Sequence, residues 1–228
     1  MKRTQSAFAL LFAVLVSFAT IFLLSTPINR WILAHPQWAE WTATGTYAFI
    51  LMIFFVVNGV LQGRQAKQQA EQETALLTFK TASFHLLDAA AGILILIVIL
   101  LLPAIRLRFL SMPRLIITIL ALVAYWLLLR ISQKRLRLVC TRHHILIMGF
   151  DARISIPDPN GRFAYANPTG ILAYDRIAGY RLSDTDATLY LQDENTAPIL
   201  IPVSGEKAKQ LEGILAMHRI QRWYPENA

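Results

Sequence analysis

Four long runs without charge dominate the first 130 residues and leave this chain few ways to fold. From Thr4 to Asn29 no ionisable side chain appears. The core of that run, SAFALLFAVLVSFATIFLLS, matches the roughly 20 residues a helix needs to cross a hydrocarbon layer. The preceding Met1-Lys2-Arg3 resembles the start of a signal peptide. A cleavable apolar region is usually only about 7–15 residues and ends at small residues, whereas this one ends LLSTPIN, so an uncleaved first span is expected.

The second run, Trp41 to Gly63, has Trp38 and Trp41 where aromatic rings favour a membrane interface. The third lies within Ala89 to Ile105, with Asp88 at its edge and Pro103 near its end. The fourth, Leu115 to Leu129, rises only about 22 Å against a hydrocarbon thickness of about 30 Å, but Arg114 and Arg130 flank it and can snorkel outward. The expected spans are 6–25, 41–62, 88–105 and 113–131.

Composition agrees: 16% of the 228 residues are charged and 55% are hydrophobic, where a soluble domain carries about 25% charged residues. The net charge of +8 would suit nucleic acid binding if the cations formed a solvated face. They do not. Residues 1–142 hold 14 Lys and Arg against 4 Asp and Glu, and residues 143–228 hold 8 against 10, so the basic excess flanks the apolar runs. That distribution belongs to a bilayer rather than to nucleic acid. Cys140 is the only cysteine, which excludes an intramolecular disulfide and a thiolate metal cluster.

Loop charges set the orientation. With the N-terminus inside, four spans place Lys2, Arg3, Arg64, Lys67, Lys80, Arg130, Lys134, Arg135, Arg137 and Arg142 on the cytoplasmic side. Arg30, Arg106, Arg108 and Arg114 fall outside. Both termini are therefore expected in the cytoplasm, with the chain multi-pass in a bacterial inner (cytoplasmic) membrane. The arginines of the 106–114 turn oppose the rule, and a re-entrant or interfacial hairpin of the third and fourth segments is the rival arrangement. Both arrangements keep the tail cytoplasmic. Between the second and third runs, Arg64 to His85 is rich in Gln, Ala, Glu and Leu and predicts a polar, solvated helical connector without coiled-coil heptads.

Near Gln133 the texture changes. Leu136, Leu138 and Cys140 alternate with Arg137, Val139 and Thr141, and Ile145 to Met148 follows a polar turn, which predicts a β-hairpin. Further strands are expected at Arg153–Ile156, Arg162–Ala166, Ile171–Leu182, Thr188–Leu191 and Ile199–Val203, with turns at 157–161 and 193–196. Ser204 is placed to cap a closing helix whose stripe is Ala208, Leu211, Leu215 and His218, with Ile214 beside it. The organisation expected is a helical membrane domain, 1–132, followed by a cytosolic α+β domain, 133–228.

The succession LRLVCTRHHILIM, ILAYDRIAGYRL, ATLYLQ, APILIPV and EKAKQLEGILAMHRI resembles the bacterial pleckstrin-homology-like (YcxB-like) domains that follow transmembrane segments in small membrane proteins. Tyr174-Asp175-Arg176-Ile177 matches the family's strand opening, and Leu200-Ile201-Pro202 matches the strand end before its capping helix. The resemblance covers residues 136–220. It implies a curved sheet or barrel plugged by one helix and a binding or scaffolding role rather than catalysis. The 151–170 stretch departs from the family's compact pattern.

Chemistry is sparse. His143 and His144 are adjacent, so on a strand they point to opposite faces, and a polar turn accounts for them. Asp184 and Asp186 in SDTD are what a turn between strands uses. No phosphate loop, HExxH, CxxC or GxSxG occurs, so no enzyme activity, cofactor or metal is expected. The spans carry Ser17, Thr20, Asn58, Thr118 and Tyr125 but no ionisable group at mid-membrane, which counts against proton-coupled transport. Ala9, Ala13 and Ser17 make a small-residue ridge for close helix packing, within one chain or between copies. Arg130, Lys134, Arg135, Arg137 and Arg142 in RISQKRLRLVCTR form a cytosolic anchor and are candidate contacts for anionic lipid. The expected function is an inner-membrane protein carrying a cytosolic binding or regulatory module, with a protein partner or a second copy as further candidates. The alternative is a small transporter or channel component regulated by its tail.

Overall fold

The computed structural model describes residues 3–84, 86–107, 110–154, 169–192 and 198–222. Helix α1 runs Arg3–Ala34, with Pro27 inside it. A 3-10 turn at Pro36–Trp38 leads into α2, Ala39–Gln62. Ala9 and Ala13 on α1 are buried, and α1 packs along α2. The face turned away, including Phe8, Leu11, Phe18 and Phe22, stays exposed. Among the described residues, three helices are long and apolar enough to cross a membrane: Phe8–Ala34, Pro36–Gln72 and Met112–Arg135. Asp88–Pro103 is a shorter apolar helix. Helices suit lipid because they satisfy every interior backbone polar group locally.

After Gly63 the chain forms α3, Arg64–Gln72, and then strand β1, Leu77–Lys80. This corrects the expected connector, which is helical only in its first half. Next come α4, Leu86–Leu107, and α5, Met112–Arg135, which pack on each other and on α2. Phe55, Leu96, Leu100, Tyr125 and Leu129 fill the space between the helices. Gly92 lets α4 approach closely, since a Cβ there would lie 2.1 Å from the Tyr125 hydroxyl.

The remaining strands are β2, Arg137–Cys140; β3, His144–Met148; β4, Gly170–Ala173; β5, Ile177–Leu182; β6, Asp186–Leu191; and β7, Ile199–Pro202. They form two antiparallel sheets, β1-β2-β3-β4 and β5-β6-β7, rather than one closed barrel among the described residues. The expected hairpin is β2–β3, paired from Arg137↔Met148 to Cys140↔Ile145. The expected Ile171–Leu182 strand is divided by a 3-10 turn at Tyr174–Arg176, where the chain passes from one sheet to the other. Arg153 and Ile154 are not strand residues, and Arg162–Ala166 lies outside the described residues.

Strand β1 pairs with β2 from Leu77↔Cys140 to Lys80↔Arg137. The sheet thus begins well before residue 133, and the α4–α5 hairpin is an insertion between its first two strands.

Both sheets and the closing helix α6, Glu206–Met217, share one core. Inward positions of the strands supply Leu138, Ile145, Ile147, Leu189 and Ile201, while α6 supplies Leu211, Ile214 and Leu215. Burying such side chains stabilises by about 1.5–3 kcal/mol each. Gly205, at φ 60°, occupies the cap position of α6, and no side chain caps the helix, so Ser204 does not play the expected role. The His218 ring stacks on Tyr174 with centroids 3.8 Å apart, holding the end of α6 against the sheets. Leu215→Ala should lower stability by about 2–5 kcal/mol through the cavity it leaves, measured by denaturant titration of the full chain in mild detergent.

Candidate functional site

The most unusual chemistry lies where the β module meets the helices. After β3 the chain turns at Gly149 (φ 131°) and runs between the ends of α2 and α5. A Cβ on Gly63 would sit 2.0 Å from the Gly149 carbonyl oxygen, and one on Gly149 would sit 2.4 Å from the Arg135 carbonyl oxygen. A Cβ on Gly59 would meet the Phe150 ring at 2.7 Å. Only glycine permits these approaches.

Hydrogen bonds then fix the segment. The Asp151 amide donates to the Gly59 carbonyl at 3.1 Å. The Ala152 amide donates to Ser132 Oγ at 3.0 Å, while that hydroxyl donates back to the Leu128 carbonyl. Asn58 Nδ2 and Gln62 Nε2 both donate to the Arg153 carbonyl, at 3.4 and 3.2 Å.

Arg153 is fully buried. Its Nε and Nη2 donate to the two oxygens of Asp151, each at 2.8 Å. Nη1 lies 3.8 Å from Asp88 Oδ1 on α4, and the guanidinium lies 4.2 Å from the Phe84 ring centroid. A buried guanidinium must be paired, and a bidentate carboxylate is its best-matched partner. Asp88 is therefore an interior group of this joint, not merely a residue at the membrane rim. Local pattern could not have disclosed this: Arg153 reads as the start of a strand and Asp151 as part of the 151–170 stretch, and Asp88, Gly59 and Ser132, which complete the joint, lie on helices far away in sequence.

A second polar cluster holds α3 to the β2–β3 turn. Glu73 accepts from Thr141 Oγ1, from Gln69 and from His144 Nδ1, the last at 2.8 Å. Partial burial raises the Glu73 pKa, but the three hydrogen bonds and the His144 charge outweigh it and hold the carboxyl below its ordinary range. The two histidine rings diverge, with centroids 6.4 Å apart, and His143 is exposed. Among the described residues no group of three or more His, Cys, Asp and Glu is placed to hold a metal. Burial pushes the Cys140 thiol up to about 12, which keeps it protonated and unreactive at neutral pH. In the SDTD turn the Asp186 amide donates to Ser183 Oγ at 3.2 Å, and Asp184 is exposed.

The basic residues divide. Arg130 lies over the Trp126 ring at 4.9 Å, Lys134 and Arg135 occupy the last turn of α5, and Arg137 opens β2. Arg142 sits in the turn beyond the far end of β2, a strand that itself rises about 10 Å from Arg137 to Cys140 at about 3.3 Å per residue. Four of the five candidates therefore gather at one end of the module and the fifth does not. Sequence order alone missed Lys80, which pairs in register with Arg137. At the opposite end of the bundle, Glu40 lies 3.4 Å from Arg114 and accepts from Ser111, so one arginine of the 106–114 turn has a counter-charge.

No protein-family model matches the chain, and no curated protein matches it. Among solved structures, the FERM and C-terminal domain complex of Drosophila Merlin aligns with 10% identity and a TM-score of 0.26. The alignment covers 75% of this chain and spans 65% of the length of that one. A score so low carries no argument about fold or function.

Arg153→Ala should cost about 3–5 kcal/mol in denaturant titrations, because it leaves Asp151 buried without its bidentate partner. Glu73 stabilises the fold fully above the ordinary carboxylate range, and this contribution should fade as pH falls through its lowered folded pKa. Thermal unfolding across the acid range should show that loss, and Glu73→Gln should flatten it.

Proposed function

We propose that this chain is a four-span protein of a bacterial inner membrane, with both termini cytoplasmic, whose β module is a pleckstrin-homology-like binding or regulatory domain. The observation that carries the reading is the β1–β2 pairing: strands hydrogen-bonded to each other must lie on one side of the bilayer, so α4 and α5 leave and return together. The excess of Lys and Arg at that end favours the cytoplasmic side. Two antiparallel sheets closed by a C-terminal helix accord with the pleckstrin-homology-like resemblance. The polar clusters tie elements of the fold together, which suits a scaffold better than a catalyst.

One observation favours the transport alternative. Asp88, Asp151 and Arg153 are buried near Asn58 and Tyr125, whose Oδ1 and hydroxyl have no hydrogen-bond partner among the described residues. Polar groups of this kind inside a helical bundle often line solute paths. The well-matched pairing of Arg153 with Asp151 ranks this second.

The experiment is a pair of reporter fusions after Ala228 together with affinity capture from mild detergent. A fluorescent protein should be bright, an exported phosphatase should stay inactive, and a specific partner should be retained. An active phosphatase would overturn the orientation, and solute flux into proteoliposomes would put transport first.

A further inference from the structure

We propose that Lys80 and Arg137, flanked by Lys134 and Arg135, hold the phosphate of an anionic lipid headgroup at the membrane-facing end of sheet β1-β2-β3-β4. Lys80 and Arg137 are directly opposed in the antiparallel register. Opposed residues have Cβ atoms about 4.5–5.5 Å apart, and like charges so placed destabilise a sheet. Phe79 and Leu138, the next pair in register, are buried in the core, so Lys80 and Arg137 fall on the outer face, where both are exposed. Among the described residues, none of Lys80, Lys134, Arg135 and Arg137 makes an ion pair with a carboxylate. The carboxylates closest in sequence, Glu73 and Asp88, are engaged by Thr141 and His144 and by Arg153. An anion between the two strands would turn this repulsion into attraction.

Position selects the anion. Lys80 precedes the start of α4 at Leu86, and Arg137 follows the end of α5 at Arg135. Trp126 beneath Arg130 marks the interfacial level of α5 about two and a half turns before its end at Arg135. The exposed Arg64 and Lys67 on the first turns of α3 add to the same rim. Lipid phosphates occupy this level at high local concentration, and each cation near an anionic surface contributes about 1 kcal/mol. The site omits Arg142, which stands at the far turn.

The proposal rests on the reading that α4 and α5 lie in lipid. Its test uses the full chain in nanodiscs of phosphatidylcholine containing a minor share of phosphatidylglycerol, with retained lipid counted by native mass spectrometry. Lys80→Gln combined with Arg137→Gln should weaken phosphatidylglycerol retention by up to about thirtyfold, the equivalent of two such cations, while Arg142→Gln leaves it unchanged. In phosphatidylcholine alone, Lys80→Gln should raise the thermal midpoint by relieving the repulsion, and this also shows that the variant folds. Unchanged retention in the double variant, an equal loss in Arg142→Gln, or equivalent stabilisation by inorganic phosphate in phosphatidylcholine discs would overturn the lipid site. A chain that fails to enter the discs would instead overturn the membrane reading on which the site rests.

Discussion

The architecture depends on one pairing. Strand β1 is placed before the α4–α5 hairpin and β2 directly after it, yet the two are hydrogen-bonded along their length. This makes the helical hairpin an internal part of the β module rather than a neighbour on a tether. Three chain passages, from α2 through α3 to β1, from β1 to α4, and from α5 to β2, connect bundle and module. Relative movement of the two parts must therefore bend the short segments around Thr81 and Leu136 or disturb the register of the sheet.

The segment 149–154 reinforces that constraint. Its backbone is bonded to α2 and α5, and Arg153 extends the contact to α4 through Asp88. Buried ion pairs contribute little net stability compared with apolar packing of equal volume, because desolvation offsets most of the attraction. Their leverage is in specificity: a bidentate guanidinium tolerates few alternative geometries, and the glycines at 59, 63 and 149 leave no slack in the backbone around it. The joint thus fixes an orientation more than it supplies free energy.

Much of the helical half is legible in the sequence because an apolar run is a local property. The uncharged runs locate α1, α2, α4 and α5, although α5 continues to Arg135, past the charged residues that end its apolar stretch. Periodicity likewise reveals the β2–β3 hairpin, β6, β7 and the buried stripe of α6. It does not reveal β1, because LTFK is too short to establish a period and follows a segment of strong helix formers. Nor does it reveal the joint, since Asp88 and Arg153 lie in separate elements and only tertiary folding brings them together. The basic cluster is visible as composition. Its division between one rim and one distant turn depends on strand direction, and the contribution of Lys80 depends on strand register.

The insertion of a helical hairpin within a sheet also has a bearing on biosynthesis. β1 leaves the ribosome before its partner exists, and must persist as a bare strand while α4 and α5 are made. A hairpin that failed to fold would keep β1 and β2 apart and leave the unpaired edges of both exposed to proteases and aggregation. Completion of the sheet therefore waits on the helical hairpin between its first two strands.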